Sequence, residues 1–367
     1  MNVIVRDSTR VVSSIARRQL SPILSAPIPT TGTAAQTSVA PANTMAAELL
    51  LQSRNRNKDH PRVLLVIDKS GWAFHNISLQ VERHLSAEFD VQIIMIADAG
   101  AAENECDILV AFWWGSLPRL LQKIQARCVV TCIYDSYAWR AKAKASYDMD
   151  FVLANSDLLA VGNEQIARLL LERDEHLAIS VVEDGVDTTM FWPRPFPKTF
   201  TIGWTGNSMG AKLAANIDDL KGVNLIVEAC RLADVHLETR DYQDGTWPHA
   251  EMPTWYSGIS AYVCASSCEG TPNPVLESMS CGRPVISTDV GLTRRIIIDG
   301  VNGFIVPRTA QSIADAIEKL KRSDLERMGR IARATAEPHD WRIKVKSWSA
   351  CLRAAVGMSH GRENGNA

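Results

Sequence analysis

From Pro61 onward the chain alternates short apolar, β-rich runs with stretches of helical period, and it does so twice, on either side of a proline-rich break. RVLLVID, VQIIMI, DILVAF, CVVTCI, DFVLA and AISVV are apolar almost throughout rather than at every second residue. That is the pattern of strands buried on both faces of a parallel sheet. Between the first two runs Ile77, Val81 and Leu85 recur every four residues, giving a helix with one buried stripe. Pro193, Pro195 and Pro197 in FWPRPFPK then enforce an extended connection, because proline fixes φ and disfavours helix at the residue before it. After it FTIGWT, DVHLE, ISAYVC, PVISTD and GFIV read as strands, with helices expected at 221–232, 273–281 and 310–321. The expected fold class is α/β, with Rossmann-like domains over 60–190 and 199–336 facing each other across a cleft at the carboxyl ends of both sheets.

Length and charge agree with this division. A chain of 367 residues exceeds what one core usually serves. Its 39 Lys+Arg against 41 Asp+Glu argue against a protein that wraps nucleic-acid phosphates, so no nucleic-acid partner is expected. No run reaches the roughly 18 to 20 apolar residues that span a bilayer. The eight cysteines include no close CxxC pair, and several lie in apolar runs where a reduced thiol behaves as a small hydrophobe. A reducing, cytoplasmic setting is expected.

Residues 1–59 are rich in Ser, Ala, Thr and Pro, with Arg6, Arg10, Arg17 and Arg18 opposed only by Asp7 in the first forty positions. This leader is expected to be poorly ordered. Its composition fits a floppy tail, a transit peptide, a basic arm making peripheral contact with anionic lipid, or sequence upstream of a start at Met45. At the other end, over 339–356, Trp341, Val345, Trp348 and Leu352 define an amphipathic helix. Periodicity alone leaves open whether it crosses back to the first domain or packs on its own.

The chemistry concentrates between Cys264 and Gly303. ASSCEGTPNPVLESMSCGRPVISTD follows the strand ISAYVC, with Asn273 read as a cap and Pro274 as the first helical residue. Free N–H groups and the helix dipole there favour an anion by about 0.3 to 2 kcal/mol. Small residues in the loop let a phosphate approach the backbone. Glu269 and Glu277 flank this junction, and carboxylates to either side of a diphosphate can accept hydrogen bonds from two sugars. Taken as bare spacing, E-x7-E is equally compatible with a solvated Glu269 and a Glu277 that balances the helix dipole.

EGTPNPVLE, followed by SMSCGRPVISTDVG and DGVNGFIV, resembles the signature of the retaining glycosyltransferases of family 4 (group 1), which have the GT-B fold. VVEDGVDTTMFWP is similar to that family's N-G-V-D-x-x-x-F-x-P segment, and SDLLA after VLANS also fits; the resemblance covers roughly residues 61–356. It implies that Glu277 binds the nucleotide ribose and that Glu269, as a catalytic residue, contacts the donor sugar. It also implies that the backbone through Gly270, Thr271, Pro272, Asn273 and Pro274 lies beside sugar and diphosphate. Lys221 in DDLKGVNLIVEA matches the lysine of the family's K-G element and should pair with the diphosphate as a compact point charge.

The sequence departs from the common pattern in three places. Asn207 in GWTGNS stands where an arginine usually supplies a second cation. Lys212 or Arg283 could replace it, or Asn207 could donate an amide hydrogen bond. In the first domain the glycine-bearing loop reads DKSGWAFHN, with Gly71 the match and Trp72 and His75 nearby. The family's His-Asp pair appears as Tyr134-Asp135, which puts Asp135, Tyr134, Gly71 and Trp72 on the acceptor side. His75, with Asp135 a candidate for the catalytic group, is either a polar cleft residue or a capping or solvent-facing histidine before the helix at Asn76. Trp113 and Trp114 are either a stacking platform for a sugar or core. The stretch from Trp247 to Tyr256 should border the nucleobase. Asp148-Met149-Asp150 is a literal D-x-D, discounted because it lies ahead of what reads as the buried strand DFVLA; no metal or cofactor is expected.

The resemblance therefore implies transfer of a hexosyl-type group from a nucleotide-diphosphate sugar to a glycan or lipid-linked glycan acceptor. Configuration would be retained and no metal needed, in cell-envelope or other polysaccharide synthesis. Two rivals share the fold: a sugar-nucleotide epimerase or hydrolase, and a non-catalytic sugar-nucleotide binder.

Overall fold

The computed structural model describes residues 3–4, 59–100, 105–135, 148–209, 219–245 and 247–364. The leader lies almost wholly outside the described residues, as does Lys212. The first sheet contains β1 (Val3–Ile4), β2 (Arg62–Ile67), β3 (Asp90–Met95), β4 (Glu105–Ala111), β5 (Gln125–Ile133), β6 (Leu158–Val161) and β7 (Ile179–Val181). Its order is β1-β7-β6-β5-β4-β2-β3. All pairings are parallel except β1 with β7, where Val3 faces Ser180. Its helices are α1 (Ala73–Leu85), α2 (Leu117–Leu120), α3 (Met149–Asn155) and α4 (Glu164–Leu171). As the sequence period requires, α1 buries Ile77, Val81 and Leu85.

The second sheet is wholly parallel. It holds β8 (Thr201–Gly206), β9 (His236–Asp241), β10 (Ala261–Cys264), β11 (Val285–Ser287) and β12 (Gly303–Ile305), ordered β12-β11-β10-β8-β9. Between its strands run α5 (Val223–Leu232), α6 (Met252–Ser257), α7 (Asn273–Ser280) and α8 (Thr293–Ile296), followed by α9 (Ala310–Lys321) and α10 (Leu325–Ala336). Each sheet has a core on both faces, which is why its strands read as unbroken apolar runs.

One strand assignment is corrected. DFVLA is helical: it forms α3, where the Asp148 carboxylate accepts from the N–H groups of Asp150 and Phe151 and so satisfies the first turn. The strand is the adjacent Leu158–Val161, paired with β5 and β7. A short apolar run does not by itself distinguish strand from buried helix. The D-x-D motif is thereby a helix cap, with Asp150 ion-paired to Arg173.

The last helix, α11 (Trp341–Asn364), crosses back. Trp341, Val345, Trp348, Cys351 and Leu352 are buried in the same core as Val63, Ile77 and Phe112 of the first domain. The Phe112 and Trp348 rings lie 5.5 Å apart. At the crossing Val186 N–H donates to His339 O at 2.9 Å and Trp341 N–H donates to Val186 O at 3.2 Å. The buried Asp340 carboxylate accepts from Thr188 and Arg342.

Arg283 is tied to this framework and is not a spare cation for the cleft. It is 1% exposed and donates to the carbonyls of Tyr256, Arg194, Pro195 and Ser257. It thus satisfies the backbone of the proline connection, whose prolines supply no N–H of their own. Trp114 is 2% exposed within the first core, and Trp113 packs against it, so these tryptophans are core rather than a stacking platform. All eight cysteines are free thiols.

Candidate active site

The site grows from the junction between β10 and α7. Here Pro272 occupies the cap position without a side-chain hydrogen bond, and Asn273 is the first helical residue rather than the cap. The missing cap leaves the N-terminal donors of α7 to the backbone and to whatever binds there. A cavity of about 280 Å³ opens in front of this helix end, lined from both domains.

Lys221 reaches the cavity because Gly222 adopts a φ of 69°. A Cβ at Gly222 would lie 2.3 Å from Ala265 O, so only glycine lets the start of α5 press against the loop after β10. Lys221 Nζ then donates to Glu269 Oε1 at 2.6 Å, and Ser266 Oγ donates to the same oxygen at 2.7 Å. Burial would lower the Lys221 ammonium, but the Glu269 carboxylate outweighs it and raises the group above its ordinary value.

Glu277, one turn into α7, is engaged at both oxygens. His249 Nε2 lies 2.9 Å from Oε1, and Tyr256 Oη donates to Oε2 at 2.9 Å. Burial would lower the His249 imidazole, and Glu277, helped by Asp187, raises it instead. Asp187 also lines the cavity and pairs with Arg83 at 3.0 Å. Each carboxylate on the cavity wall therefore carries a cationic or basic partner.

The sequence-derived site residues divide as follows. Glu269, Glu277 and Lys221 line the cavity with Thr271, Pro272, Asn273 and Pro274. Asn207 lines it too, its Oδ1 accepting from Gln243 Nε2 at 2.9 Å and from the Met209 N–H. From the first domain come Gly71 and Trp72. Gly270 is buried behind the wall, where a Cβ would lie 2.5 Å from Tyr134 O.

His75, Asp135 and Tyr134 do not line the cavity. His75 Nδ1 accepts from the Gly71 N–H at 3.0 Å, closing the loop before α1. Asp135 follows the end of β5 and is partly buried. Tyr134 Oη donates to Asp184 at 3.2 Å.

Three participants were not singled out from sequence. His249 and Trp247 lie in the stretch expected beside the nucleobase, yet no motif marks either. Tyr242 follows β9 and meets Trp72 of the first domain with ring centroids 5.1 Å apart, while Lys69 Nζ sits 4.5 Å from the Trp72 ring. Arg240 lies over Trp247 at 4.4 Å. The aromatic content of GTWPH was the available signal; Tyr242 offered none. Among the described residues no group of three or more His, Cys, Asp or Glu could hold a metal ion.

Residues 224–323 match the family model described as glycosyl transferases group 1. A D-inositol 3-phosphate glycosyltransferase of Arthrobacter sp. (strain FB24) is 28% identical over 212 residues, 47% of this chain and 50% of that protein. The chain thus spans about half the length of this curated relative. Two solved structures share the fold. Sucrose-phosphate synthase from Thermosynechococcus elongatus superposes with a TM-score of 0.63 at 15% identity, over 80% of this chain and 99% of that one. HepE from Anabaena, solved with UDP and glucose, gives 0.62 at 14% identity, over 80% of this chain and 100% of that one. The fold is the GT-B arrangement of two Rossmann-like halves.

Proposed function

We propose that this chain is a group 1 glycosyltransferase that moves a sugar from a nucleotide-diphosphate donor to an acceptor hydroxyl, with retention at the anomeric carbon and without a metal ion. One arrangement supports the reading: the Lys221–Glu269 pair and the His249–Glu277–Tyr256 cluster stand on one cavity in front of the uncapped N-terminus of α7. The helix end and Lys221 offset the diphosphate as charge develops on the leaving group. Glu277 accepts from the ribose hydroxyls and Glu269 from a hydroxyl of the donor sugar. Gly71 and Trp72 bring the first domain to the same space, so the acceptor enters from that side and closure excludes water.

The acceptor we propose is a glycan or lipid-linked glycan, met in the cytoplasm or at the inner membrane face. No helix among the described residues is long and apolar enough to cross a membrane. The test is release of free nucleotide from UDP-, GDP-, ADP- and dTDP-sugars, with EDTA present and mixed glycan acceptors added or omitted. UDP-glucose is tried first, since HepE was solved with UDP and glucose. Acceptor-stimulated release from one donor supports the reading. Release that no acceptor stimulates points to hydrolysis or epimerisation, and binding without release to a non-catalytic role.

A further inference from the structure

Two departures from the family motifs meet in space. Tyr134 stands where the His-Asp pair has its histidine, and Asp184 precedes Gly-Val-Asp where N-G-V-D has asparagine. Tyr134 Oη donates to Asp184 Oδ1 at 3.2 Å, and the Asn273 side chain lies beside the same carboxyl, where its polar contact favours the ionised form. Asp184 is 2% exposed. The Tyr134 ring is seated against Gly162, where a Cβ would come within 2.8 Å of it. Asn273 opens α7 and lines the cavity. A carboxyl buried at the end of the first domain therefore grips the first turn of the donor-side helix. The backbone closes the same gap, with Gly270 against Tyr134 O.

We propose that Asp184 is a positioning residue that, held by Tyr134, fixes Asn273 and with it the N-terminus of α7 where the donor diphosphate binds. This rests on the donor-binding reading above. Cys132 on β5 and Tyr134 just after it face Asp184, Asn273 faces it from α7, and Cys351 of α11 joins the same cluster. Glu183 is its chain neighbour and is itself held by Lys344 and Arg295. Burial pushes the Asp184 carboxyl up to about 7, against the opposing pull of the Tyr134 hydrogen bond and of Asn273. The group thus changes charge across neutral pH, and its ionised form holds both partners more strongly. The grip on α7 tightens as pH rises through that value.

The test uses the full chain. Donor KM is measured from about pH 6 to about pH 8, beside calorimetric binding of UDP, GDP, ADP and dTDP. The variants are Asp184→Asn, Asp184→Ala, Asn273→Ala and the Asp184→Ala/Asn273→Ala double. D184A and N273A are each expected to raise donor KM about tenfold, and the double no further, since both remove one interaction. D184N keeps the acceptor oxygen but does not ionise, so it is expected to stay near the wild type at low pH while losing the fall in KM as pH rises. Additive losses, or an unchanged pH step in D184N, overturn the proposal. Thermal melts identify a variant that fails to fold, and N273A, altered at a partly exposed position, then stands in for D184A. A wild-type chain that binds none of the four nucleotides removes the donor-binding reading instead. Coupling of D184A and N273A in urea unfolding then still decides whether the grip exists.

Discussion

Glu277 and His249 meet at 2.9 Å on the cavity wall, and Tyr256 holds the second carboxylate oxygen at the same distance. The carboxylate is therefore oriented before any ligand arrives, and under the proposed function a ribose would share its oxygens with partners already in place. Preorganisation of this kind lowers the ordering cost of binding. It also makes His249 part of the site.

His249 should make stability and donor affinity pH-dependent in one direction. Its imidazole is raised above 6.5 by Glu277 and Asp187 against the opposing effect of burial. The charged form is thus favoured by folding, and its contribution is complete below the unfolded value and lost as pH climbs through the higher folded one. His249→Asn should melt below the wild type at mildly acidic pH, the gap narrowing in alkali. Equal gaps across the range, read by thermal unfolding, would remove the ion pair from the account.

Lys221→Met should lower kcat for nucleotide release by about 10²- to 10³-fold, the usual cost of removing one preorganised charge-stabilising group. It also strands Glu269, whose ammonium partner lies 2.6 Å away. Glu269→Ala should reduce transfer sharply, and steady-state rates that match the wild type would take Glu269 out of the donor site.

Asp184 imposes the opposite pH dependence from a normal carboxylate pair. Its carboxyl rises from 3.8 to about 7 on folding, so the folded chain holds a proton that the unfolded chain has released between those values. Stability is therefore lost as pH rises from 3.8 to about 7, by an amount on the order of 4 kcal/mol at 1.36 kcal/mol per unit. Urea unfolding of Asp184→Asn should show this slope removed; an unchanged slope would mean that Asp184 ionises freely.

Trp348→Ala should destabilise the fold by about 3 to 5 kcal/mol, the range for emptying a large aromatic site in a core. Trp348 is 0% exposed and belongs to the first domain's core although it lies at the far end of the chain. Urea unfolding checks the value, and a loss under about 1 kcal/mol would show that the crossing helix is held mainly at its start.

Much was legible in the sequence. Continuous apolar runs gave most strands of both sheets, because a strand buried on both faces has no polar side to display. E-x7-E with its Asn-Pro helix start located the junction of β10 and α7, because a helix start restricts residue types over a short local stretch. DFVLA against Leu158–Val161 marks the limit: two neighbouring apolar segments of similar length are separated by the Asp148 cap and by sheet partners, and only the cap is local.

Tertiary structure decided the rest. Trp341, Val345 and Trp348 showed that a helix had an apolar stripe, but its destination depended on which domain presented a matching face. Arg283 reads as a spare cation in sequence, yet its donors go to carbonyls of the proline connection and of α6. Tyr134 and Asp184 lie 50 residues apart with no local pattern to connect them, and one hydrogen bond joins them. Local pattern is fixed by what each residue permits its own backbone to do, so it is written in sequence. The partner of a buried charge is fixed by which chain segments arrive together, and that is settled only when the fold closes.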